Sequence, residues 1–457
     1  MKRKQFIKTS ASFAAGTALF PMLSCKNEKK VMGKEGMEEN RTNWAGNYTY
    51  KAQHLHEPHT VEEVQALVKE LKSQKALGSC HCFNNIADSP LNQISTKNLK
   101  GIIKLDEEAM TVTVGAGAKY GDFAAKLHEK GFALHNLASL PHISVAGACA
   151  TATHGSGVSN GNLATKVNGI TLVDGKGKVK NISKAENPEM LNACVVSLGA
   201  LGIITQMTLE MEPTFAVRQD VFQDLPLQSL KEHFNAILSG GYSVSLFTDW
   251  QNQNISQVWV KRRTDTEVKD LGSDYFGATA ATRNLHPITA MSAENCTEQM
   301  GIPGPWYDRL PHFKMGFTPS SGKELQTEFF IPKEKALEAI LALEQIGDQI
   351  KTQLMITEIR TIAADELWMS PCYKQDCVAI HFTWEQNPKE VGTLVKLIEK
   401  ELEPFDCRPH WGKVFSVDPA KLHARYPKYT EFLDLARKFD PEGKFKNDYL
   451  DLNLYTS

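Results

Sequence analysis

Residues 134–157 read LHNLASLPHISVAGACATATHGSG, a run of small side chains without helical or strand periodicity. A chain built from such residues can bring its backbone close to a ligand, because few bulky side chains stand in between. The stretch therefore predicts a segment that lines a binding site. A tight turn with no ligand is the simpler alternative.

The segments around this run predict strands followed by helices. On its N-terminal side, 111–134 reads as strand, glycine turn and helix. Further upstream, Thr60 and Glu63 form a capping-box pattern at the start of a helix that leads into another strand. On its C-terminal side, ITLVDGKGKVKNI predicts a hairpin with a glycine-rich turn, and the next strand ends at Pro213. A domain boundary is expected near 213–218.

The loop after the strand that follows the first helix reads GSCHCFNN at 78–85, with a histidine between two cysteines. Three interpretations compete: a zinc site, a redox pair and a histidine that carries a cofactor covalently. Consecutive residues of an extended chain point to opposite sides and do not easily share one tetrahedral ion, and the CxxC spacing of redox pairs is absent. A histidine nitrogen held by a glycine loop can bond to a flavin in a fixed orientation. The spacing alone leaves the choice open.

Two strands of the second half carry polar residues at alternate positions. In QLMITEIRTI, Glu358 and Arg360 share one face. In CVAIHFTWE, His381 and Thr383 share one face, and the apolar residues take the other. Such pairs are often only the solvated face of an antiparallel sheet. Taken alone, they indicate a chemically capable surface and no particular reaction.

The chain of 457 residues is long enough for two domains, and its net charge of -2 gives no basic excess for nucleic-acid binding. Helices are expected at about 333–350 and 388–402. The Gly-, Pro- and Ser-rich segment 264–322 is expected to form long loops over the surface or the site mouth. The cysteines beyond the N-terminal region lack the spacing of a disulfide scaffold or a zinc ribbon, so neither a structural disulfide nor a metal site is expected.

Residues 1–25, MKRKQFIKTSASFAAGTALFPMLSC, have the basic start and short apolar stretch of an export signal. The run from Arg3 to Lys8 resembles a twin-arginine signal, and the residues before Cys25 resemble a bacterial lipobox. A plain secretory signal is the alternative. Residues 26–42 read as a charged, flexible tether. Together these features predict an exported, periplasmic or cell-envelope lipoprotein with a lipid anchor at Cys25.

From residue 43 onward the chain resembles the alditol (xylitol) oxidase family of the vanillyl-alcohol oxidase flavoprotein superfamily. The matching motifs occur in the family's order: NWAGN, ALGSCHCFNNIADS, the 134–157 run, SLGALGIITQMTLEMEPTF, YSVSLFTDW, TEIRTIAADELW, AIHFTW, RPHWGKVF and FDPEGKFKND. The resemblance implies an α+β, two-domain FAD-binding (PCMH-type) fold. Its FAD-binding domain would span 43–215, and an antiparallel-sheet substrate (cap) domain would span 216–457, with a C-terminal segment that returns to the FAD domain.

The resemblance also implies an FAD bound covalently to His81 through the flavin 8α-methyl carbon. The other implied cofactor-binding residues are Gly78, Ser79, Cys80, Cys82, Asn85, Ser139, Ser144, Gly147, Thr151, Thr153, His154, Ile203 and His410. Cys82 stands where the family more often has serine, and Cys80 where it more often has glycine or arginine. The backbone cradle would survive both changes, but the hydrogen bond of a serine hydroxyl to the diphosphate would weaken.

On the substrate side, the resemblance implies oxidation of the terminal (C1) hydroxyl of an alditol, such as xylitol or sorbitol, to the aldose, with reduction of O2 to H2O2. The implied polyol-binding residues are Ser139, Glu358, Arg360, Thr383 and Lys413, and the implied catalytic residues are Arg360, Lys413, His381 and Glu358. Arg360 and Lys413 would hold the developing alkoxide. His381 would accept the proton, and Glu358 would orient Arg360 or bind a further hydroxyl.

Two other functions stay open at this point. A sugar 1,4-lactone (aldonolactone) oxidase or dehydrogenase shares the histidine loop and the HWxK motif, although YSVSLFTDW and EIRTIAADELW favour the alditol branch. Ala138 stands where the family controls oxygen access to the flavin, and an alanine there leaves a dehydrogenase open. A lipid-anchored sugar-binding protein without chemistry would be colourless, whereas a flavoenzyme would be yellow.

Overall fold

The computed structural model describes residues 41–266, 270–316 and 323–456. The predicted export signal, its Cys25 anchor and nearly all of the predicted tether lie outside the described residues. Within the described ranges, no helix is both long and apolar enough to cross a membrane.

The described residues form strands and helices throughout the chain. The strands are β1 His54–His56, β2 Gln74–Leu77, β3 Asn92–Ser95, β4 Ile102–Asp106, β5 Thr111–Gly115, β6 Phe132–Ala133, β7 Val167–Val173, β8 Val179–Ser183, β9 Ile203–Glu210, β10 Glu212–Pro213, β11 Ala216–Pro226, β12 Ser243–Thr248, β13 Asn254–Arg263, β14 Asp274–Tyr275, β15 Ala278–Ala280, β16 Gly304–Pro305, β17 Glu324–Pro332, β18 Leu354–Ile362, β19 Cys377–Glu385 and β20 Arg408–Pro409. The α-helices are α1 Val61–Glu70, α2 Tyr120–Glu129, α3 Val145–Ala150, α4 Pro188–Cys194, α5 Leu227–Leu238, α6 Ala336–Glu344, α7 Gly347–Ile350, α8 Pro388–Leu402, α9 Pro419–Ala424, α10 Tyr429–Phe439 and α11 Asp448–Leu450.

The N-terminal half contains a small parallel sheet and a larger antiparallel one. Strands β1, β3 and β2 pair in parallel, and β4, β5, β9, β7 and β8 form the antiparallel sheet. Helix α1 begins after Thr60, whose Oγ1 accepts a hydrogen bond from the Glu63 amide at 3.2 Å, as the capping pattern predicts. Strand β2 then leads into the 78–85 loop. The predicted hairpin is β7–β8, and the strand before Pro213 is β9.

The second half is built on one large sheet. Its strands lie in the order β14-β15-β11-β13-β12-β18-β19-β17-β20, with β16 beside β11. On one face, Ile359, Ile380 and Phe329 are fully buried in a core that includes side chains of α5, α6 and α8. The opposite face carries the polar residues, because successive side chains of a strand point to opposite sides. Glu358 and His381 lie there as direct cross-strand neighbours.

Helix α3 forms within the 134–157 run, where the sequence shows no helical periodicity. Val145, Ala148 and Cys149 of this helix are buried in the core of the first half. The helix is buried rather than amphipathic, so its pattern carries no periodic signal.

The helical segment predicted at 333–350 is divided into α6 and α7. At the start of α7, a Cβ on Gly347 would lie 2.6 Å from the Trp250 carbonyl oxygen, so the two backbones approach closely there. Helix α8 matches the prediction at 388–402. The described parts of 264–322 form the predicted loops, with short strands and two 3-10 turns, Ala293–Asn295 and Trp306–Asp308.

After β20 the chain returns to the core of the first half. Trp411, Phe432 and Leu450 are buried in the same cluster as Val112 and Val145. The return brings the RPHWGK segment against the 78–85 loop. The division of the chain into domains at 215/216 stays a prediction.

Candidate active site

A cleft lies between two segments of the first half, the 78–85 loop and the 134–157 run, and the polar face of the large sheet. It holds about 1910 Å³ of empty space when its open mouth is included. Its lining includes the predicted residues Gly78, Ser79, Cys80, His81, Cys82, Ala138, Ser139, Ser144, Gly147, Thr151, Thr153, His154, Glu358, Arg360, His381, Thr383, His410 and Lys413. The predicted cofactor residues Asn85 and Ile203 are not in this lining. Ile203 packs into a core cluster with Val173, and Ile204 lines the cleft instead.

Two serines hold the loop after β2 against the start of α3. The Ser79 amide donates to Ser144 Oγ at 3.3 Å, and the Ser144 amide donates to Ser79 Oγ at 3.0 Å. A Cβ at Gly78 would lie 2.6 Å from Ser144 Oγ, so this approach requires glycine. Cys80 adopts a φ of 62°, in the left-handed region that glycine favours. The loop thus presents backbone to the cleft, as a diphosphate cradle requires.

His81 lies in this loop and is held by an aromatic stack. Its ring stacks on Trp44 with the centroids 5.3 Å apart. Its Nδ1 is buried and has no hydrogen-bond partner among the described residues. Burial lowers the pKa of His81 to about 4, so the ring is neutral near pH 7. A neutral, oriented imidazole with an unsatisfied nitrogen is suited to covalent attachment of a cofactor.

The 78–85 loop also fixes the RPHWGK segment. The Phe83 amide donates to the Gly412 carbonyl at 2.7 Å. Asn84 Nδ2 donates to the carbonyls of Trp411 and Lys413 at 2.8 and 2.7 Å. The backbone that carries Lys413 is therefore bonded directly to the loop that carries His81.

Glu328 of β17 lies between the side chains of Arg360, His154 and Lys413. Its Oε1 accepts hydrogen bonds from Arg360 Nη2 at 2.9 Å and His154 Nε2 at 3.0 Å, and its Oε2 lies 3.9 Å from Lys413 Nζ. Burial alone would raise the pKa of Glu328, but His154 and Arg360 outweigh it and hold the pKa well below its usual range. Arg360 Nη1 also donates to Ser139 Oγ at 3.3 Å. Arg360 is thus fixed between the sheet and the small-residue segment.

Lys413 and His381 form a second polar contact in the cleft. Lys413 Nζ lies 3.1 Å from His381 Nε2 and donates to Gln326 Oε1. Gln326 is oriented by Glu324, whose Oε1 accepts from Gln326 Nε2 at 2.5 Å. Burial and the nearby Lys413 lower the pKa of His381 well below its usual value, and burial also lowers the pKa of Lys413. A neutral His381 imidazole therefore stands beside the Lys413 ammonium group in the cleft.

Sequence reasoning missed five residues of this network: Glu324, Gln326, Glu328, Lys261 and His312. Glu328 had a signal, because the polar residues Glu324, Gln326 and Glu328 fall on one face of β17, whereas Lys261, in the run VWVKRR of β13, had none. His312 comes from a long loop and had none. Its contacts with Glu358 and Lys261 join parts of the chain about 50 residues apart.

The cleft fits an FAD on the chemistry of its own residues. The Gly78–Cys82 backbone and α3 would hold the diphosphate, His81 supplies the unsatisfied nitrogen, and small residues leave room along the lining. Within the described part of the chain, no group of three or more histidine, cysteine or acidic side chains is arranged to hold a metal ion.

Comparison with known proteins identifies the family. An FAD-binding domain model matches residues 52–183, and a D-arabinono-1,4-lactone oxidase model matches residues 318–453. An alditol oxidase from a Streptomyces species is 47% identical over 416 residues, which cover 90% of this chain and 97% of that protein. The chain belongs to the alditol oxidase family. This alditol oxidase family member is an FAD-dependent oxidoreductase of the vanillyl-alcohol oxidase superfamily.

More distant proteins share its length and fold. The L-gulonolactone oxidase of Mus musculus is 25% identical, over 90% of this chain and 98% of that protein. The crystal structure of cholesterol oxidase from B. sterolicum superposes with a TM-score of 0.71 at 16% identity, over 91% of this chain and 96% of that one. A solvent-stable cholesterol oxidase superposes with a TM-score of 0.74 at 14% identity, over 91% and 97% of the two chains. The alditol oxidase family member therefore has the PCMH-type FAD-binding fold, and the predicted α+β fold class is confirmed.

Proposed function

We propose that this protein oxidises the terminal (C1) hydroxyl of an alditol, such as xylitol or sorbitol, to the aldose and reduces O2 to H2O2. The observation that carries the proposal is the polar sheet face, with Glu358, Arg360, His381 and Lys413 in one cleft with the His81 loop. The 47% identity to an alditol oxidase supports the same reaction.

Buried polar side chains bind the polyol, because each hydroxyl that leaves water needs a new hydrogen-bond partner. The proposed polyol-binding residues are Ser139, Glu358, Arg360, Thr383 and Lys413. Glu358 Oε1 is engaged by His312 Nε2 at 2.7 Å, whereas its Oε2 accepts no hydrogen bond from the described residues. Glu358 Oε2 is therefore available to a substrate hydroxyl.

Arg360 and Lys413 stabilise the alkoxide that develops as the hydroxyl loses its proton. Two cations interact more strongly with an alkoxide than with a neutral alcohol, so they lower the barrier rather than only tighten binding. Glu328 keeps Arg360 in place and ionised, since burial disfavours the guanidinium charge but Glu358 and Glu328 raise its pKa. FAD bound in the cleft supplies the acceptor for the hydride and the route by which electrons reach oxygen.

His381 is the proposed proton acceptor. Its low pKa keeps the ring unprotonated, and Lys413 at 3.1 Å disfavours a lasting positive charge on it. Proton transfer to His381 is therefore coupled to the development of charge on the substrate oxygen, and the proton is then released.

Covalent attachment of FAD to His81 through the 8α-methyl carbon is part of the proposal. The unsatisfied Nδ1 and the stack on Trp44 support it. We expect the His81 peptide of the holoenzyme to carry the added mass of FAD and to fluoresce after acid precipitation. His81→Ala should release its flavin on denaturation. A His81 peptide without added mass in fresh holoenzyme would contradict the linkage.

Oxidation of a sugar 1,4-lactone is the second candidate. It is favoured by the lactone oxidase model over residues 318–453, which include Glu358, Arg360 and Lys413. The lactone oxidases are more distant than the alditol oxidase, so the alditol is preferred. An aerobic assay with xylitol, sorbitol and aldonolactones separates the two. We expect one H2O2 for each aldose formed, and turnover of lactones alone would overturn the assignment.

We further propose that the protein is exported and anchored to the cell envelope through Cys25. The basic start, the short apolar stretch and the lipobox-like residues before Cys25 support this. Cell fractionation of the wild type and Cys25→Ser tests it. The wild type should fractionate with membranes and the variant should not, whereas identical fractionation would contradict the anchor.

A further inference from the structure

A lysine and a histidine outside the predicted site meet next to Glu358. Lys261 of β13 is 1% exposed, and its Nζ donates to the carbonyls of Leu310 and Pro311 at 2.5 and 2.9 Å and to His312 Nδ1 at 3.1 Å. An ammonium group has three N–H donors and no acceptor, so these bonds use all of its donors. Burial lowers the pKa of Lys261 to about 7, and the three acceptors around Nζ favour its protonated form, which donates to the His312 ring.

This contact decides which nitrogen of His312 carries the hydrogen. Because Nδ1 accepts from Lys261, the hydrogen of the neutral ring lies on Nε2. That Nε2 donates to Glu358 Oε1 at 2.7 Å, with Ser245 Oγ 3.5 Å away from the same atom. Burial lowers the pKa of His312 to about 4, which agrees with a neutral ring near pH 7. His312 is therefore a fixed hydrogen-bond donor to Glu358.

We infer that Lys261 and His312 are positioning residues that hold Glu358 so that only its Oε2 is offered to a hydroxyl of the substrate. His312 donates to Oε1 at 2.7 Å, and Arg360 Nε lies 3.5 Å from the same oxygen as an ion-pair contact without a hydrogen bond, so both printed contacts fall on Oε1. The His312 amide also donates to the Ser139 carbonyl at 3.1 Å, so the same loop fixes a second proposed polyol-binding residue. The inference rests on the proposed alditol oxidation, because the hydroxyl it assigns belongs to the polyol.

Matched substitutions of His312 in the holoenzyme test this role. Phenylalanine keeps the ring packed against Trp259 and Phe247, whose centroids lie 5.2 and 5.6 Å away, but it removes both polar contacts. Glutamine keeps one acceptor for Lys261 and one donor for Glu358. We expect His312→Phe and Lys261→Met to raise the KM for xylitol roughly 10-fold or more, with kcat changed less than about 3-fold, and His312→Gln to restore KM to within about 3-fold. An unchanged KM in His312→Phe, or a His312→Gln variant as defective as His312→Phe, would overturn the inference.

A second measurement separates this inference from the proposed function. Denaturant unfolding of the holoenzyme carrying His312→Phe, Glu358→Gln or both gives a double-mutant cycle that needs no substrate. Non-additive changes in the free energy of unfolding support the interaction of His312 with Glu358. This holds even if the wild type oxidises no alditol, in which case only the proposed function is wrong. Additive changes in the free energy of unfolding would show that His312 and Glu358 do not interact, whatever the substrate is.

Discussion

The two faces of strands β17, β18 and β19 differ in almost every physical respect. Ile380 and Ile359 point into an apolar core and are fully buried. One position along, His381 and Glu358 point into the cleft and are nearly as buried, at 8% and 5% exposure. Burial stabilises the first face directly, whereas each charge of the second face is tolerated only because a partner of opposite charge or a hydrogen bond compensates for lost water.

Along these strands, alternate residues therefore serve different purposes: the apolar residues stabilise the fold, and the polar residues line the cleft. A substitution on the apolar face should change the free energy of unfolding and leave the kinetics of the folded enzyme intact. A substitution on the polar face should change the kinetics first.

The largest kinetic effect is expected for Arg360→Met on the polar face. The variant removes a cation that stabilises the alkoxide and leaves Glu328 and Glu358 without their shared partner. We expect kcat for xylitol to fall by roughly 10²- to 10³-fold. Arg437→Met, at a position whose side chain is 63% exposed, is the matched control and should keep wild-type kcat. A variant of Arg360 with near-normal kcat would show that the polar face does not serve the reaction.

A smaller kinetic loss is expected for Glu328→Gln. Its amide keeps the shape of the side chain but presents a weaker acceptor to Arg360 and His154. We expect kcat/KM for xylitol to fall by roughly 10- to 100-fold, measured in steady state on holoenzyme. Glu431→Gln, which lies on the surface, should have no effect. Equal kcat/KM values in Glu328→Gln and Glu431→Gln would show that Glu328 does not contribute to the reaction.

On the apolar face, Ile380→Ala should act on stability alone. The deletion leaves a cavity in the core and is expected to lower the free energy of unfolding by about 2–5 kcal/mol. Ile102→Ala, at a position that is 37% exposed, is the control and should change it by less than about 0.5 kcal/mol. Chemical denaturation measures both. If Ile380→Ala instead lowered kcat of the folded enzyme as strongly as Arg360→Met, the separation of the two faces would be wrong.

The smallest effect concerns the pH dependence of stability. Burial lowers the pKa of His312 to about 4, compared with about 6.5 in an unfolded chain. The unfolded chain therefore binds more protons between these values, so stability is full above about pH 6.5 and falls as the pH drops towards 4. His312→Gln should reduce this loss of unfolding free energy by up to roughly 3 kcal/mol. Unfolding curves from pH 7 to pH 4 measure it, with His54→Gln at an exposed strand position as control. If the free energy of unfolding depended on pH in His312→Gln as it does in the wild type, a buried, neutral His312 would be contradicted.

Local features of the fold could be predicted because they depend on neighbouring residues. The Thr60 cap, the β7–β8 hairpin and the alternation around Glu358 and His381 are of this kind. The long-range contacts could not, since nothing near Lys261 or His312 in the sequence shows that they meet Glu358.

We propose that the polar sheet face and the His81 loop form one site at which alditols are oxidised. The most direct test mixes the holoenzyme with xylitol without oxygen in a stopped-flow instrument and follows the flavin absorbance. We expect rapid bleaching in the wild type and in Ile380→Val, and bleaching slowed by roughly 100-fold or more in Lys413→Met. Absence of bleaching with any alditol, or bleaching of Lys413→Met at the wild-type rate, would contradict it.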